Sequence, residues 1–276
     1  MEISVEIYRK MFAEKILSFH EGTNRILKLL MGLPVIGNHV SSKIFNRKNS
    51  KLRTVIGFVA MFGRGVWQFI KKYLYVAFFM YFPYRFMAHF CPLIASNQES
   101  AMLFMFFVLS SVCGSFANNT LFAMGDRDYL MVKVVLVSPY MNFLGRLAVK
   151  MITDLIYFTI ILCMFGVSFA NSLLVSIVTV CIRPVGEMFA LVGFENIRSM
   201  YNSRNLFNGT VIAVCILLAY GLPLLERRIS SGWLIFINPV FVVVTLFIGV
   251  FAVYYCWSYP HYRKIMREAV HIKREI

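Results

Sequence analysis

The sequence predicts an all-α, polytopic helical membrane protein with about six transmembrane helices and an N-terminal cytoplasmic or interfacial amphipathic region. Three observations predict it. Hydrophobic residues make up 59% of the 276, with a mean hydropathy of +0.69, whereas ordinary soluble domains are about half apolar. Several apolar runs approach the roughly 20 residues that a helix needs to cross a bilayer. Lys and Arg, which give the chain a formal charge of +15, are sorted to alternate connections between those runs, as topology demands of cytoplasmic loops.

The chain reads as three regions. Residues 1–72 form a basic amphipathic region ending in an elbow helix. Apolar residues recur at Ile7, Met11, Phe12, Ile16, Leu17 and Phe19, with Arg9, Lys10, Glu14 and Lys15 between them, which is helical spacing with a polar face. Charges run through the segment, so it does not read as a signal peptide. Such a helix lies on a membrane surface, docks on a partner, or packs on its own protein. Gly32 to Asn38 reads as a turn. Residues 54–69 are apolar but interrupted by Gly57, Gly63, Arg64 and Gly65, and read as an interfacial elbow leading into the first span.

Residues 73–257 hold six expected spans, at about 73–91, 101–122, 147–169, 173–194, 210–225 and 234–257. Lys71 and Lys72 stand at the mouth of the first, and Asn171 marks a tight turn between the third and fourth. A polar stretch, Leu121 to Arg146, separates the second from the third. Residues 258–276 are a basic tail. With both termini cytoplasmic, residues 1–72, the 121–146 loop with Lys150, the 195–208 loop and the tail hold 13, 4, 2 and 5 Lys or Arg, 24 of the chain's 28. The outer loops hold Arg227 and Arg228, and Arg85 and Arg183 fall within spans. That bias predicts a multi-pass protein of the cell membrane, surrounded by lipid, with both ends inside.

Several functions find no support. No basic stripe alternates with stacking aromatics, so nucleic acid is not an expected partner. The six cysteines are scattered without a CxxC pair, which suggests neither a disulfide framework nor a zinc site. No Walker lysine motif, HExxH or GxSxG occurs. No metal or other cofactor is expected, and no catalytic residue.

The stretches LPVIGNHVSSKIFNRKNSKLR, KKYLYVAFFMYFPYRF and DRDYLMVKVVLVSPYMNFLGRL together resemble the membrane subunit of a bacterial ABC-type exporter, of the ABC-2-like permease class. The resemblance covers roughly residues 30–260 and is a pattern of residue types. Asp126 or Asp128, Leu130, Ser138 with Pro139, and Arg146 take the places of that family's cytoplasmic loop. It departs from the family at MVKVVLVSP, where a leucine-rich run ending in Leu-Pro is more usual. The resemblance implies a permease that forms half of a translocation pathway. Its partners would be a separate ATP-binding cassette ATPase and a second permease half, a further copy or a related subunit. The 121–146 loop, through Asp126, Asp128, Tyr129, Leu130 and Val134, would couple to the ATPase. The alternative is a polytopic membrane enzyme acting on lipid or prenyl substrates, for which Asp126 with Asp128 is the candidate pair.

Charges inside apolar runs are expensive in a bilayer and are functional candidates on that ground. They are Arg85, Asp154, Arg183 and Glu187. Arg85 lies near the outer end of the first span, where it can snorkel. Asp154, Lys150 and Arg146 are each one turn apart, and read as a ladder at the cytoplasmic mouth of the third span. Arg183 falls near mid-membrane, with Glu187 one turn later as its expected partner. Pro184 weakens the helix beside it.

Overall fold

In a computed structural model of the chain, the residues described are 19, 51–120, 139–196, 204–226 and 231–260. Among them about 92% are helical and none is in a strand. Among the described residues, five helices are long and apolar enough to cross a membrane: Gln98–Ala117, Phe143–Met164, Phe169–Gly193, Asn205–Leu225 and Pro239–Ser258. The chain is an all-α, polytopic helical membrane protein. The expected first span is helical too, but its tyrosines, Pro83, Arg85 and His89 leave it less apolar than those five.

The chain divides into two compact units, 1–71 and 72–276. In the first, the Phe19 ring meets Phe58 edge-on at 5.8 Å and lies against Gly57, where a Cβ would collide with it. Lys71 sits over the Trp67 ring at 5.5 Å.

We number the long helices in chain order. The first, α1 (51–90), joins Lys51–Val76, a π-helical turn Ala77–Tyr81 and Phe82–Phe90. The glycines at 57, 63 and 65 do not break it. Cys91 is extended, and a short turn, Pro92–Ala95, leads into α2. The next helix, α2 (98–117), contains a second π-helical stretch, Phe107–Cys113. Pro139–Met164 is α3. The turn after it lies at Gly166, whose φ of 85° suits glycine, rather than at Asn171. Asn171 belongs to α4, Phe169–Asn196, which runs through Pro184. The fifth helix, α5 (204–226), has a third π-helical turn, Leu217–Gly221. A 3-10 helix, Ser231–Ile237, precedes α6, Pro239–Ser258, whose Asn238 side chain caps the Val240 amide at 2.9 Å.

The helix α4 is the axis of the second unit, packing against α2, α3 and α6. Small residues set these crossings, as expected where lipid tails compete equally for apolar surface. At Gly249 on α6, an added Cβ would stand 2.8 Å from the Cys181 carbonyl oxygen, and at Gly186 on α4 it would strike the Ser115 carbonyl on α2. The buried stripe of α6 is Val242, Thr245, Gly249, Ala252 and Cys256, at alternating steps of three and four. Leu191, Cys256 and Tyr259 close an apolar cluster with Phe143, Leu144 and Leu147.

Candidate functional site

The packing of α3 against α4 buries charges on both helices. Asp154 is 3% exposed, Arg183 6% and Glu187 1%, and such burial of ionisable groups calls for partners. Asp154 is the hub. One carboxylate oxygen, Oδ2, accepts from Arg183 Nη2 at 2.6 Å, and the other, Oδ1, accepts from Lys72 Nζ at 2.6 Å. Arg183 Nη1 also donates to the Gly114 carbonyl of α2 at 3.1 Å. Thus α1, α2, α3 and α4 all contribute to one centre. The Lys72 ammonium lies over the faces of Tyr157 and Phe158, 4.8 and 5.1 Å from their centroids, which adds cation–π attraction.

The depth of the centre comes from sequence position. Asp154 is close to the middle of the span Phe143–Met164, about 15 Å from either end at 1.5 Å per residue. That is half of a hydrocarbon core about 30 Å thick. Lys72, expected at the mouth of the first span, therefore delivers its charge to mid-span. Its long apolar stem makes this possible.

Asp154 does not simply continue a ladder with Lys150. The Lys150 ammonium instead reaches the end of α2, donating to the Asn118 carbonyl at 3.1 Å and Thr120 Oγ1 at 3.3 Å. Glu187 meets the same end, accepting from the Thr120 amide. The carboxylate that the structure gives to Arg183 is thus Asp154, where one-turn spacing had pointed to Glu187. Arg85 is exposed on α1, outside this network. Asp126, Asp128, Tyr129, Leu130 and Val134 lie outside the described residues. Sequence reasoning missed Lys72 and the Gly114 carbonyl. The signal available for Lys72 was a lysine beside a long aromatic run, with an unmatched Asp154 elsewhere in an apolar run.

Chemically, a carboxylate gripped by two cations is an ion-pair lock on three helices. Opening it strands at least one charge at mid-span, which is strongly destabilising. Among the described residues, the Arg183 Nε is buried without a hydrogen-bond partner. No family model, curated protein or solved structure matches the chain.

Proposed function

We propose that this chain is the permease subunit of an ATP-driven transporter of the ABC exporter class. It forms half of a path through the bacterial cell membrane, with both termini cytoplasmic. A separate ATP-binding cassette subunit hydrolyses ATP, and a second permease half, identical or related, completes the path. The observation that carries this reading is the Lys72–Asp154–Arg183 centre at mid-span. Charge at that depth is expensive, and in membrane helices it marks substrate and ion pathways by default. The resemblance of the 121–146 stretch to an exporter's cytoplasmic loop supplies the energy source, and the distribution of Lys and Arg supplies the orientation.

The test is purification of the tagged chain from its own membranes in mild detergent, followed by mass spectrometry and an ATP hydrolysis assay. The reading expects a Walker-motif subunit to co-purify, with vanadate-sensitive hydrolysis. A chain that purifies without any ATPase, under conditions that retain other membrane complexes, overturns it.

A further inference from the structure

Three π-helical stretches lie on three different helices: Ala77–Tyr81 on α1, Phe107–Cys113 on α2 and Leu217–Gly221 on α5. Fewer than about 1% of residues in soluble proteins are π-helical, so three stretches that meet one another are not background. They do meet. Tyr220, within the stretch of α5, donates from its hydroxyl to the Phe79 carbonyl, within that of α1, at 2.6 Å. The stretch of α5 also packs on that of α2. Ser110, within the stretch of α2, lies 3.5 Å from the Tyr75 hydroxyl of α1. A π-turn closes its hydrogen bond one residue later than an α-turn, and such turns recur at functional sites and at kinks. Among the described residues none occurs in α3, α4 or α6.

Packing around this junction is looser than in the rest of the bundle. Only 17% of the α5 span is buried, against 28 to 61% of the other four. Where α4 crosses α2 and α6, an added Cβ at Gly186 or Gly249 strikes a neighbouring backbone, but at Gly209 and Gly221 of α5 it meets nothing within 4 Å. Lipid tails compete equally for apolar surface, so a helix with few close contacts is held by its specific ones. Toward its start, α5 stacks Phe207 on Phe189 of α4 at 6.3 Å, and midway its Cys215 thiol meets Cys113 of α2. Toward its far end, Leu217 and Leu225 are 70% and 83% exposed. Among the described residues, Tyr220 to Phe79 is the one hydrogen bond between α5 and α1.

We propose that α5 is the mobile helix of the bundle. Its Leu225 end parts from α1 on a joint made by the three π-helical stretches, a hinge motion for which the Tyr220–Phe79 hydrogen bond is the latch. The helices α2, α3, α4 and α6 stay together as a fixed body, tied by the glycine crossings and the ion centre. Parting opens a cleft lined by the Tyr75 and Ser110 hydroxyls, one turn along α1 from Lys72. The motion is argued from packing alone and needs no ATPase partner, so it stands or falls apart from the permease reading.

Double electron–electron resonance on the chain in lipid nanodiscs tests this. Spin labels are carried on a ketone-bearing phenylalanine analogue, so the native cysteines stay in place. One pair replaces Phe86 and Leu224, across the joint, and a reference pair replaces Ile160 and Ile248, within the fixed body. All four side chains are 43 to 65% exposed, so the labels disturb little packing. Labelled chain is diluted with unlabelled chain, so each distance lies within one copy. The reference pair is expected to give one narrow distribution. The pair across the joint is expected to give a near and a far population, and Tyr220→Phe to raise the far-to-near ratio roughly two- to tenfold, as loss of one hydrogen bond does. A distribution across the joint as narrow as the reference in both proteins overturns the proposal. So does a far population that Tyr220→Phe leaves unchanged. Tyr220→Leu, read in the same way, serves if Tyr220→Phe does not purify as a folded protein.

Discussion

At the scale of single residues, Asp154 decides whether three helices stay together. Its two oxygens are divided between Lys72 and Arg183, so the three side chains do not contribute equally. Lys72→Met leaves Asp154 with Arg183, and Arg183→Met leaves it with Lys72. Asp154→Asn strands both cations. Removing one partner of a buried pair costs about 3–5 kcal/mol because the survivor is left uncompensated. Asp154→Asn is therefore expected to lower the thermal midpoint in nanodiscs more than either cation variant, with Lys72→Met the mildest because its side chain is 22% exposed. A Lys72→Met variant that unfolds earlier than Asp154→Asn would show the hub to be misplaced. Asp154, Arg183 and Glu187 were all visible in the sequence, since a charge in an apolar run stands out. Their pairing was not. One-turn spacing favoured Glu187 for Arg183, but which side chains meet across helices depends on crossings that no local spacing reports.

At the scale of elements, the spans were readable because apolar runs of membrane length admit only helices. Their joints were less so. Residues 54–69, read as an interfacial elbow helix despite Gly57, Gly63 and Gly65, lie within one helix, Lys51–Val76, because glycine lowers helix propensity without forbidding a helix. The three π-helical stretches left no trace in the sequence either. One of them, Leu217–Gly221, carries Tyr220, which donates to the Phe79 carbonyl in another, Ala77–Tyr81, at 2.6 Å. Glycines were informative at crossings instead. Gly186→Ala places a methyl against the Ser115 carbonyl and is expected to cost about 1–3 kcal/mol, as overpacking of a tight interface does. Gly209→Ala meets nothing within 4 Å and is expected to be neutral or to stabilise by up to about 1 kcal/mol through helix propensity. Paired melting curves of the two variants check this. Equal midpoints would mean that α2 and α4 do not touch at position 186.

At the scale of the whole molecule, the fold class could be read from composition, while the loops that would carry coupling fall outside the described residues. Within the second unit, Gln98 donates to the Phe165 carbonyl at 2.8 Å and Glu99 holds Asn171, so those helix ends share one level. The ends near Asn118, Lys150 and Glu187 share another. With the Lys and Arg distribution, the first level is expected outside and the second inside. Single cysteines at Asn97 and Ser230, in a background without the native six, should react with an impermeant reagent on intact cells, and Asp128→Cys should not. Labelling at 128 alone would invert the orientation. If the 121–146 loop couples to an ATPase as proposed, Tyr129→Ala with Leu130→Ala should leave expression and membrane insertion unchanged, yet release that ATPase or uncouple its hydrolysis. A double variant that keeps a coupled ATPase moves the docking site elsewhere, with residues 7–19 next in line.

That the bundle is built on one ion centre at mid-span is tested most directly by a double-mutant cycle on Asp154 and Arg183. Unfolding midpoints in nanodiscs are compared for the parental chain, Asp154→Asn, Arg183→Met and the two combined. Residues in direct contact couple by about 0.5–3 kcal/mol, and distant ones do not. The expected result is strong coupling, with the combined variant less destabilised than the two single losses added together. Losses that simply add would contradict an ion centre joining α3 to α4.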